Sequence, residues 1–174
     1  MRRIVIIYGI IAGLIVSVLM LLTMPFEQEN PNFDNSQTFG YLGMLVAFSM
    51  IFVAIIQHRK QSGGHITFGK AFLIGLFITL IAGLFYAITW EIYLSSSGLD
   101  FMKVYSEEVI SKMEASGESA QAIESAKTEM LSMAEMYKNP FIRFGFTLME
   151  IVPVGLLISL IAGFSLKRKK VVFS

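Results

Sequence analysis

The sequence contains no cysteine. That excludes a disulfide framework, a thiolate metal site and a cysteine nucleophile. Charge is scarce, at 16% of 174 residues, against roughly 25% in an ordinary soluble domain. The net charge is only +1, so nothing in the composition suits a nucleic-acid partner. Catalytic signatures are also missing: there is no G-x-S-x-G, no phosphate-binding P-loop, no Rossmann glycine pattern and no paired-carboxylate site. Gly63-Gly64 lies between two apolar runs rather than between a strand and a helix, so it reads as a turn. The expectation is a protein that is not an enzyme and has no cofactor. What the chain does have is apolar surface. Hydrophobic residues make up 55% of it and the mean hydropathy is +0.66, more than one small core can hide. The composition describes an integral membrane protein.

A bilayer core is ~30 Å thick, so a helical span needs about 20 apolar residues. Four segments qualify: Ile4 to Met24, stopped by Pro25; Phe39 to Ile56; Ala71 to Tyr93; and Phe141 to Leu166. Strands of an outer-membrane barrel would alternate over about 10 residues, which none of these does. Arg2-Arg3 ahead of the first run resembles a signal peptide, but that run is longer than a usual h-region of about 7–15 residues and no small-x-small cleavage site follows. It is expected to stay as an anchor. The fold class is therefore all-α, a polytopic four-span protein.

The charges sort by loop. Arg2, Arg3, Arg59, Lys60, Lys70, Lys167, Arg168, Lys169 and Lys170 fall in three regions without a single acid. Residues 25–38 carry Glu27, Glu29 and Asp34 without a base, and residues 94–140 carry eight acids against four lysines. The positive-inside rule then places both termini and the middle loop in the cytoplasm.

The 94–140 insert is too long for a plain turn and reads as an amphipathic helical hairpin outside the membrane. Asp100 suits an N-cap, and Phe101, Val104, Tyr105, Val109 and Met113 line one face. Gly117 suits the position just past the helix end. A second helix from about Ser119 to Lys138 has the stripe Ile123, Ala126, Met130, Met133 and Tyr137. A solvated cap and a partner-contacting outer domain both fit this pattern. Met130, Met133 and Met136 also form a thioether run of the kind that can hold Cu(I); helix packing already explains it, so no metal is expected.

Small residues recur every four positions, which lets spans approach closely: Gly9, Gly13 and Ser17; Ala71, Gly75, Thr79, Gly83 and Ala87; Gly155, Ser159 and Gly163. A compact bundle would use these stripes, and so would a homodimer. A few ionisable residues interrupt the spans, each costing about 2.5–3.5 kcal/mol at mid-bilayer. Glu150 is the deepest, and Pro153 three residues later frees a backbone carbonyl and can kink the helix. Glu150 either handles a proton, a cation or a polar substrate group at a deformable point, or is a neutral or hydrogen-bonded structural residue. Glu91 and Arg143 lie at similar depth near the outer ends of their spans, so an ion pair is reasonable, but anchoring at the interface beside Trp90 and Tyr93 is the reading expected. His58 and His65 have no zinc-binding spacing and read as exposed loop residues.

The stretch Ser62-Gly63-Gly64-His65-Ile66-Thr67-Phe68-Gly69-Lys70-Ala71-Phe72 resembles the "GG-x-I-[ST]-F-x-x-A-F" junction before the third span of a bacterial family labelled domain of unknown function 4199, found mainly in Bacteroidota. The four spans, the outer insert rich in Glu and Met, and the lysine-rich tail follow the same plan. The resemblance implies a multi-pass inner-membrane protein and supplies no catalytic residue. Three functions compete on these grounds: an accessory protein that binds other membrane components, such as the lipid bilayer, a membrane protein partner or a second copy of itself; a small proton- or ion-coupled transporter using Glu150 near Pro153; and a lipid-acting enzyme, which nothing positive supports.

Overall fold

The computed structural model describes residues 1–29 and 33–168, for residues 25–29 and 33–37 the backbone alone. Six helices follow one another: α1 Arg2–Glu29, α2 Phe33–Gln61, α3 Phe68–Ser97, α4 Phe101–Ala115, α5 Ala120–Tyr137 and α6 Pro140–Leu166. α1, α2, α3 and α6 are each long and apolar enough to cross a membrane. The protein is an all-α membrane protein with four such helices and a hairpin, α4–α5, inserted before the last.

The helix boundaries follow from local chemistry. Thr67 caps α3 by accepting from the Lys70 N–H, and Gly98 ends it at φ 65°, a left-handed conformation that costs glycine little. Asp100 accepts from the Lys103 N–H at 3.1 Å, and Ser119 accepts from the Ala122 N–H at 3.2 Å. Gly117, at φ 77°, turns the chain between the two hairpin helices. Asn139 caps α6 with Pro140 in its first turn, where a missing N–H costs nothing. The expected stop at Pro25 does not occur: α1 continues to Glu29. A proline removes one helical hydrogen bond, and a helix that is otherwise intact can continue past the loss. α2 likewise extends beyond its apolar run at both ends. Of the basic tail, Lys169 and Lys170 lie outside the described residues.

The four long helices close into a ring. α3 packs mainly on α6 and α1, α2 packs on α1 and more lightly on α6, and the α2–α3 contact is slight. The ring order is therefore α1, α3, α6, α2, with α1 and α6 at opposite corners. The small-residue stripes make the closest approaches. Gly75 on α3 faces Ser159 and Ile51, Gly155 on α6 faces Thr79, and Gly9 and Gly13 on α1 face Ile81 and Phe85. A side chain at Gly155 would overlap Thr79. These stripes are used within the bundle.

The end carrying both termini is solidly packed. Ile51, Ile55, Ile74, Ile78 and Ala162 have no exposed surface there. At the same end, Ile66 is buried at 3% exposure and exchanges two backbone hydrogen bonds with Arg168, at 3.1 and 2.9 Å. The Arg59 guanidinium donates to the Leu166 carbonyl at 3.2 Å, and the Phe68 ring lies 4.4 Å from the Phe164 ring. The Gly-Gly turn and its following residues thus clasp the end of α6 to the α2–α3 connection. His58 is not a loop residue: it sits within α2, half-buried, because that helix runs past the apolar segment to Gln61.

Candidate functional site

The hairpin end is organised around an interhelical ion pair. Arg143 on α6 donates through Nε to Glu91 Oε1 on α3 at 2.6 Å and through Nη2 to Glu91 Oε2. The pair is partly buried, with side chains 19% and 23% exposed. A bidentate guanidinium–carboxylate contact of this kind is both strong and directional. Arg143 also donates through Nη1 to the Tyr137 carbonyl at 3.2 Å and lies over the Tyr137 ring, 5.6 Å from its centroid. Trp90 Nε1 donates to the Tyr137 hydroxyl at 2.8 Å. Phe101 stacks edge-on against Trp90 at 5.1 Å and face-on against Tyr137 at 5.7 Å. Burial is the main cause that pushes the Tyr137 hydroxyl up to about 12, with the bond from Trp90 opposing it. The result ties α3, α4, α5 and α6 together at one level.

Below this layer lies a cavity of about 330 Å³. It is walled by the ends of all four long helices and roofed by the hairpin. Met20 and Thr23 come from α1, Phe39 and Gly43 from α2, and Tyr86 and Trp90 from α3; the hairpin contributes Tyr105 and Met133. α6 supplies Phe146, Thr147 and Glu150. Glu150 is seven residues past Arg143, ~10 Å deeper along the helix. It is exposed rather than packed, and none of the hydrogen bonds or ion pairs among the described residues involves it. The hydrogen bond to a neighbouring Ser, Thr or Tyr considered from the sequence is not made by these residues. The nearby Thr147 hydroxyl is committed to the Arg143 carbonyl at 3.0 Å.

Pro153 does not interrupt α6, which runs unbroken through it. It is exposed, whereas Ile151 and Gly155 on either side are buried towards the bundle. The carbonyl that it leaves without a helical donor belongs to Met149, itself 72% exposed. The four residues singled out from the sequence therefore separate: Glu91 and Arg143 form a clasp, Glu150 lines the cavity and Pro153 faces outward. A second, more open groove of about 1080 Å³ runs along the hairpin between Leu99, Ile110, Met130 and Ala134. No group of three metal-ligating His, Cys, Asp or Glu side chains occurs among the described residues.

The cavity was not readable from the sequence, because its wall is shared by six helices. The Trp90–Tyr137 bond was missed as well; the pairing of a lone tryptophan with a stripe tyrosine was its only hint. The family described as protein of unknown function (DUF4199) matches residues 7–168. The chain therefore belongs to that family, and its four long apolar helices fit a four-span membrane protein. Neither a curated protein nor a solved structure shows a match.

Proposed function

We propose that the protein is an accessory component of the bacterial inner membrane, acting by binding other membrane components rather than by catalysis. The nine acid-free basic residues support an orientation with both termini in the cytoplasm and the hairpin outside. One observation carries the binding role: the terminal end is packed shut, while the hairpin end offers a cavity and a long groove. A bundle of this kind presents a receptive face at its hairpin end. Purification from native membranes under mild detergent tests it. A reproducible stoichiometric companion supports the role, and recovery of the free chain alone overturns it.

A second reading, a small proton- or ion-coupled transporter, draws on Glu150, a carboxyl group without a partner among the described residues, lining a cavity three residues before Pro153. Proton uptake into proteoliposomes that is lost in Glu150→Gln would favour it over the accessory role. The packed terminal half argues against it, since Ile51, Ile74 and Ile78 would have to separate to open a path.

A further inference from the structure

We propose that the cavity beneath the hairpin is a binding site for a small lipophilic organic cation, held by Glu150. This site does not depend on the accessory role. Three observations converge on it. The first is charge: among the described residues that line the cavity, Glu150 is the one carboxyl group, and there is no Lys, Arg or His. Arg143, seven residues earlier on α6, is already held by Glu91 through both carboxylate oxygens. A carboxylate left without a counter-charge beside an apolar wall attracts a cation from outside the chain.

The second observation is the wall. Seven of the lining residues are aromatic, among them Tyr86, Trp90, Phe101, Tyr105 and Phe146. Aromatic faces attract an onium charge by their quadrupole, most strongly where water is excluded. They also bury an apolar body, which a hydrated metal ion does not have. Thioethers at Met20, Met102 and Met133 adapt the wall to an irregular outline. The third observation is size. About 330 Å³ sits at the lower end of the roughly 300–1,000 Å³ typical of small-ligand pockets, which excludes a two-chain lipid and suits a compact cation. Together these features select a delocalised or quaternary cation with an apolar skeleton, entering from the hairpin end.

Tetraphenylphosphonium and tetraphenylborate have the same shape and opposite charge, so they separate charge recognition from partitioning into apolar space. Each is titrated calorimetrically into the full chain in detergent. Saturable binding of tetraphenylphosphonium, at least tenfold tighter than tetraphenylborate, is expected. Glu150→Gln should weaken it at least tenfold, with the unfolding midpoint of the ligand-free protein unchanged. Trp90 is the only tryptophan and lines the cavity, so its emission in the unaltered protein provides a measurement that needs no variant. Saturable quenching by the phosphonium alone supports the site. Equal affinity for both ions, undiminished binding in Glu150→Gln, or the absence of saturable quenching overturns it.

Discussion

Arg143 on α6 and Glu91 on α3 are 52 positions apart in the chain and meet through two parallel N–H···O contacts. Neither charge is surrounded by water, so each is tolerable at that depth because of the other. Removing one partner leaves the second poorly solvated and unpaired. Glu91→Gln or Arg143→Gln should each cost about 2 kcal/mol of stability. The double variant should cost less than the sum of the two. A double-mutant cycle of unfolding in detergent checks this, and strict additivity would show that the contact contributes nothing.

The closest helix approaches make a sharper steric prediction. Gly155→Ala places a methyl group against Thr79, between two helices that are already in contact. Overpacking of this sort costs about 1–3 kcal/mol. Gly145→Ala lies on the same helix with open space around it, and should be neutral. Comparing the two melting temperatures tests the packing directly.

Tyr137 gives a pH dependence with a definite sign. Its hydroxyl titrates at about 12 in the folded protein, against 10.0 for an ordinary tyrosine. Folding therefore favours the neutral form. That contribution is fully present below the unfolded value and is lost as pH rises through the folded one. The unfolding midpoint should fall between about pH 10 and 12, and should fall less in Tyr137→Phe. At neutral pH the same variant removes the acceptor of Trp90 Nε1, at about 1 kcal/mol, and should shift the tryptophan emission.

The absence of native cysteine makes topology simple to map. A membrane-impermeant maleimide applied to intact cells should label Glu118→Cys on the hairpin. Lys60→Cys should react only after the membrane is opened. The reverse pattern would invert the proposed orientation.

These tests rest on features of unequal legibility. The four spans were plain, because an uninterrupted apolar run of this length has few alternatives. The cap at Asp100 and the turn at Gly117 were equally plain, since each depends on one side chain or one backbone angle. Pro25 misled, because a proline weakens a helix without always ending it. His58 misled because a helix can outrun its apolar segment. The Glu91–Arg143 contact could be reasoned from depth, but its two-pronged geometry could not. The surroundings of Glu150 were out of reach altogether: sequence places a residue along a helix, whereas a cavity is defined by what several helices fail to fill.

The pairing of α3 with α6 has a consequence for the order of synthesis. Chains emerge from the amino terminus, so α3 enters the membrane well before its main packing partner exists. During that interval Gly75 and Thr79 border a notch with nothing in it, and Glu91 has no arginine. The nascent three-helix chain is thus marked, chemically and sterically, as unfinished. Arrival of α6 fills the notch with Gly155 and Ser159 and brings Arg143 to Glu91, so both marks vanish in one step. The same two features that hold the mature bundle together distinguish a completed molecule from a truncated one.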